Sequence, residues 1–259
     1  MGWHSKGGHD RTFGTNAKAW DWCSVNNAGF EYYQNAKKDG IGLPPHNPRI
    51  WVFRHQSNAS CAPMLRRVWH PIGYSSNSGG SNFFINITAG RLLTYTNTLL
   101  KFALPDIVIG TGGGYNTYDI YESVNHELSH ASHFNKVGSA FWAKYVNYII
   151  TYGKKYDHPY GDASCNNSGF CGVGEMWGYA MGYIRTYEKY QQKPKNGQSK
   201  WFQPNLLYDL MTEKILTKKQ IFDCLSSDVT SHALLKQKMI SRYPSKKDSI
   251  IAKFSRYGF

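Results

Sequence analysis

Tyr121-Glu122-Ser123-Val124-Asn125-His126-Glu127-Leu128-Ser129-His130-Ala131-Ser132-His133-Phe134 is the stretch from which the rest of the chain is read. Apolar side chains at Val124, Leu128, Ala131 and Phe134 recur at spacings of four and three, the period of a helix that buries one face. His126 and His130 stand four apart, so on that helix both imidazoles reach one point in space, and Glu127 points into the space beside it. Neutral imidazole suits Zn²⁺, and a catalytic zinc keeps three protein ligands and leaves a fourth position for a water that it acidifies. Glu127 is then placed to take the water's proton. The five-residue pattern arises by chance about once in a hundred sequences with this histidine content, so its helical setting has to support it.

Outward from this helix the texture changes on either side. Upstream, aromatic and β-branched residues alternate between clusters of Gly, Ser, Asn and Pro, which predicts loops and short strands for the first hundred residues. Strands are expected at Arg49–Phe53, Asn82–Thr88 and Asp106–Gly110, followed by the turn Thr111-Gly112-Gly113-Gly114. Downstream the spacing is helical, with helices expected near 118–136, 140–153, 173–191, 204–216, 217–226, 229–242 and 246–256. Thr217 with Gln220, and Ser245 with Asp248, fit the capping-box pattern at two of these starts. Residues 191–200 are rich in helix breakers and read as a linker. The expectation is an α+β chain: a strand-rich half over 1–117, a metal-binding helical part over 118–192 and a C-terminal helical subdomain over 201–259.

A third ligand separates the kinds of zinc enzyme. In the metzincin pattern a glycine and a final histidine follow, but here His133 and Lys136 occupy those places. His133 is on roughly the same face as the pair, yet one straight helix rarely brings three rings round a tetrahedral ion, so a supporting or surface role is expected. Farther on, Gly172-Val173-Gly174-Glu175-Met176-Trp177-Gly178-Tyr179-Ala180-Met181-Gly182-Tyr183 places one carboxylate in an apolar, glycine-rich helix. A buried acid needs a partner, and Gly178 and Gly182 thin the helix face so that the His126–His130 helix can come close. Glu175 is therefore the expected third ligand, with Asp157, His158 and Asp162 as alternatives. Tyr179 and Tyr183, one and two turns on, are candidate donors to a developing oxyanion. Glu122, and less directly Asp119, are candidates to orient a ligand imidazole.

Two histidines and the glutamate between them on one helix, with a further glutamate on a following helix, resemble the gluzincin clan of zinc metallopeptidases. The likeness runs from Asp119 to about Tyr187, sharpest at His126–His130, and the interval to Glu175 is longer than in the best-known members. It implies one Zn²⁺ held by His126, His130 and Glu175, Glu127 as general base, a Tyr or His at the oxyanion, and a peptide or protein substrate. Such a peptide would lie along an edge strand, for which Asn82–Thr88 and Asp106–Gly110 are candidates. The likeness to secreted bacterial zincin-like proteins also implies an extracytoplasmic setting, reached through a segment outside this sequence.

Composition bounds the alternatives. In 259 residues, 41% hydrophobic and 18% charged, there is material for a real core, and no apolar run approaches a membrane span. The formal charge is +13, and thirteen Lys and Arg against five acids beyond residue 190 give that part a surplus of eight. No nucleic-acid recognition motif accompanies the surplus, and a solvated helical face explains it. Cys23, Cys61, Cys165, Cys171 and Cys224 form no thiolate zinc pattern, although Cys165 and Cys171 bracket a polar turn that a local disulfide would close. Eight Trp and nineteen Tyr leave one other reading, a catalytically idle zincin scaffold that binds a glycan or protein partner. Retention of Glu127 speaks against it.

Overall fold

The structure is a computed structural model that describes Gly14 and residues 17–54, 60–68, 104–156, 160–192 and 200–259. Asn82–Thr88, Asp157, His158 and most of the expected linker lie outside the described residues. In chain order the elements are α1 (Lys18–Asp39), β1 (Ile50–Phe53), β2 (Ile107–Gly110), α2 (Thr117–Val137), α3 (Ser139–Tyr156), α4 (Ser168–Tyr190), α5 (Asn205–Thr212), α6 (Lys218–Cys224), α7 (His232–Arg242) and α8 (Lys247–Arg256). The described chain is mostly helical, with one small two-stranded parallel sheet.

Helix α1 corrects the expectation of a first half made only of loops and strands. Its buried residues, Asp21, Val25, Ala28, Gly29, Tyr32 and Ala36, follow helical spacing. Only one of them is a large aliphatic, so the periodicity is carried by small and aromatic side chains that a hydrophobicity pattern underweights. Gly40 closes the helix in the left-handed conformation (φ 68°), its N–H reaching back to the carbonyls of Ala36 and Lys37. Tyr32 and Ser132 share a buried hydrogen bond of 2.7 Å that ties α1 to α2.

The sheet pairs β1 with β2 in parallel, Ile50 opposite Ile107 and Phe53 opposite Gly110. Every residue of β2 is buried. On its other edge Val108 exchanges two backbone hydrogen bonds with Cys61, of 3.0 and 2.8 Å, in an antiparallel bridge. Asp106–Gly110 is therefore not the free edge on which a peptide was expected to lie. Asp106 at the start of β2 is fully buried, where Arg66 and Arg67 (2.7 and 3.2 Å) and the Arg49 amide compensate its charge.

Helices α2 and α4 form the centre. Asn116 and Asp119 make a reciprocal capping box at the start of α2, which is where the Asp119 carboxylate goes. The polar residues inside α2 that the core would otherwise penalise bond to the preceding turn: Asn125 Nδ2 to the Tyr121 carbonyl at 2.8 Å and Ser129 Oγ to the Asn125 carbonyl at 2.6 Å. The close approach expected from Gly178 and Gly182 is present, since a Cβ built on Gly182 would stand 3.2 Å from the Glu122 carbonyl oxygen and 3.4 Å from His126 Cβ. At the other end of α4, a Cβ on Gly169 would overlap the Thr230 carbonyl oxygen, so the chain leading into α7 lies directly on the α4 backbone.

The Thr217 and Gln220 capping box opens α6 as expected. Ser245 and Asp248 do not form one; a 3₁₀ turn at Pro244–Lys246 runs straight into α8, which has no side-chain cap. A proline at the first position of that turn fixes the backbone in a helical φ before a cap can form. Cys165 and Cys171 are both buried thiols and no disulfide joins them, so of the two outcomes the polar turn left open the bridge is not the one found. Among the described residues no helix is long and apolar enough to cross a membrane. Much of the C-terminal positive charge is paired, Lys218 with Asp39 and Glu188, Lys219 with Asp223, Lys238 with Asp228, and Lys253 with Glu213.

Candidate metal centre

The α2 helix delivers His126, Glu127 and His130 to one buried point, and these three form a group that could hold a metal ion. The Nε2 atoms of His126 and His130 are 2.9 Å apart. From α4, Glu175 Oε2 comes within 3.5 Å of the first and 3.6 Å of the second. Donors bound tetrahedrally at 2.0–2.1 Å stand about 3.4 Å from one another, so the three atoms are spaced as the edges of such a site. Glu127 Oε1 lies 3.8 Å from His126 Nε2, at the margin of the triangle. Glu127 Oε2 and Glu175 Oε2 are buried with no hydrogen-bond partner, which is what a pocket shaped for a cation leaves when only protein groups are counted; His130 Nδ1, on the far side of its ring, is also buried without a partner.

Electrostatics sort the two carboxylates. Burial pushes Glu127 well above the ordinary carboxylate range, and the nearby charge of Glu175 pushes it further. Burial acts on Glu175 in the same sense, but His130, His126 and a hydrogen bond from Tyr145 outweigh it and hold that carboxyl low. Burial, with repulsion from His130, drops His126 to about 3, so its ring is neutral and its lone pair is free to bind a cation.

The aromatic surroundings were mostly not anticipated. Tyr145 of α3 donates to Glu175 Oε1 and fixes the carboxylate; burial and the charge of Glu175 raise its phenol far up, so it stays a donor. The Tyr179 ring stands edge-on to His126 at 4.3 Å, and its hydroxyl is 2.8 Å from that of Tyr160. Tyr183 lies a turn away, where Glu122 and Tyr118 are the charged and phenolic neighbours that act on it after burial. Glu122 hydrogen-bonds Tyr118. Asp162 accepts from the backbone and hydroxyl of Ser164 in its own turn. Of the supporting or surface role expected for His133, the surface place is excluded: it is fully buried against Phe141 and Trp142, with neither ring nitrogen hydrogen-bonded. Tyr145 joins the site from α3 and Tyr160 and Lys200 from the connections before α4 and α5; the tyrosine-rich composition hinted at the two phenols, and nothing in the sequence singled out the lysine.

Gly178 forms the wall next to the ligand atoms. A Cβ built there would stand 2.7 Å from His130 Nε2 and 3.1 Å from His126 Nε2. Gly178→Ala is expected to weaken metal binding by about 10- to 100-fold, the scale seen when the support of a metal ligand is disturbed. Competition with a chelating dye measures it, and unchanged affinity would mean that the cation lies elsewhere.

The chain matches no protein-family model, no curated protein and no solved structure. The chemistry of this centre therefore carries the functional reading.

Proposed function

We propose that this chain is a zinc metallopeptidase of gluzincin type, with zinc on His126, His130 and Glu175. The observation that carries the reading is the meeting of two imidazoles and one carboxylate at tetrahedral spacing, with a second, differently tuned carboxylate beside them. Zinc, when bound, acidifies a water and polarises the scissile carbonyl. Glu127 takes a proton from that water and passes it to the leaving amine, and its raised pKa makes it a stronger base than an ordinary carboxylate. Tyr145 keeps Glu175 oriented through its hydrogen bond. The Tyr160 and Tyr179 hydroxyls hold two protons between them and use one for their mutual hydrogen bond. The other is free to donate to an oxygen that gains charge beside His126.

The test is the zinc content of the purified protein and of Glu175→Ala by elemental mass spectrometry, followed by digestion of a peptide library with and without chelator. Near-stoichiometric zinc in the parent, strong loss in the variant and chelator-sensitive cleavage are the expected results. Zinc retained by the variant would reassign the third ligand, and no zinc in either after adding it back would overturn the enzyme reading.

A further inference from the structure

Among the described residues Lys200, at this centre, has no ion-pair partner. Among the described residues the other half-buried or buried lysines find oxygen partners: Lys218 pairs with Asp39 and Glu188, Lys238 with Asp228 and Lys253 with Glu213, and Lys236 bonds the Phe259 carbonyl. Lys200 Nζ has neither an ion pair nor a hydrogen bond among them. Instead it sits over the rings of Tyr160 and Tyr179, 4.7 Å from each centroid, and 5.9 Å from that of Phe202. Aromatic faces hold an ammonium in place but leave its three N–H donors unused.

The segment carrying it is fixed. Trp201 Nε1 donates to the Tyr160 carbonyl at 3.0 Å, and Phe202 is fully buried. The ammonium is also within electrostatic reach of the metal ligands: burial lowers its pKa, Glu175 opposes that shift, and Lys200 in turn disfavours a proton on His126. Among the described residues the carboxylate that acts on it is thus the one proposed for the metal.

Resting on the metallopeptidase reading, we infer that Lys200, held on the Tyr160 and Tyr179 rings, receives a carboxylate of the peptide substrate and gives the site a preference for peptides that carry one near the scissile bond. A peptide offers that group either at its free C-terminus or on an Asp or Glu side chain, and an ammonium with no acceptor among the described residues takes both.

Three pools of acetylated heptapeptides separate the sources: amidated without acidic residues, the same with a free C-terminal carboxylate, and amidated with Asp or Glu at varied positions. Retention of each pool on zinc-loaded Glu127→Gln protein is read by mass spectrometry, and kcat and KM are measured with the parent. At least one carboxylate pool is expected to bind about 10-fold or more tightly than the neutral pool, with the difference in KM. Lys200→Gln should bring that ratio to about one, and Lys200→Arg should restore it. A parent ratio near one, or a ratio that survives Lys200→Gln, overturns the proposal. So does an equal fall in kcat for all pools with the ratio preserved, since the lysine would then serve the reaction rather than recognition. Binding is read on a variant without the catalytic base, so a missing preference and a missing peptidase activity are told apart.

Discussion

Glu127→Gln is expected to lower kcat by about 10²- to 10⁴-fold, the scale of a lost general base, while zinc stays bound. The two halves of this result test different things. Glu127 belongs to the buried group that could hold a cation, and its Oε1 is only 3.8 Å from His126 Nε2, so on distance alone it competes with Glu175 for the place of third ligand. If Glu127 were that ligand, the variant would lose zinc together with turnover. If it is the base, elemental analysis gives the parent's stoichiometry and only turnover falls. A variant that cleaves as well as the parent would remove Glu127 from the mechanism. The amide also removes a carboxyl whose charged form burial disfavours, so melting temperature should hold or rise.

The second large effect is on acid stability of the metal-free protein. Burial lowers His126 and His133 to about 3 and His232 to about 4, against 6.5 for an exposed imidazole. Above pH 6.5 neither the folded nor the unfolded chain protonates these rings, and they do not affect the balance. Below it the unfolded chain takes up protons that the folded chain refuses, so stability is lost between pH 6.5 and about 3 to 4. At pH 5 each ring costs about 2 kcal/mol, and the three together about 6 kcal/mol, a large part of a domain's stability. Glu127 works in the opposite sense: its raised pKa makes folding take up a proton, which favours the folded state as pH falls. The full loss is therefore expected in metal-free Glu127→Gln and a smaller one in the metal-free parent. Urea unfolding at pH 7.5 and pH 5 measures both, and equal stability at the two pH values would show that these rings are hydrated.

Legibility followed from how far apart the cooperating residues are in sequence. His126, Glu127 and His130 belong to one helical turn, and helical geometry alone brings them together. Glu175 was readable because an isolated acid in an apolar, glycine-flanked helix has few uses other than a partner across a close contact. Tyr145, Tyr160 and Lys200 carry no such signature, being ordinary residues whose meeting depends on how α3 and the loops at 160 and 200 dock. Helix α1 was hidden for another reason: its buried stripe runs through Ala28, Gly29, Tyr32 and Ala36, in which tight contact replaces aliphatic bulk. The Ser245 pattern shows the converse, a capping sequence overruled by the proline before it.

The burial of the centre has a kinetic consequence. His130, Glu127 and Glu175 are 2%, 4% and 3% exposed, and they are supplied by two helices in tight contact. A cation bound there would exchange more slowly than one held by exposed side chains, because ligands this buried are released fully only when the packing between α2 and α4 loosens. The same closure that shapes the site would slow the exchange of a metal bound in it, so zinc added to the folded protein is expected to load slowly and reach full occupancy only after long incubation.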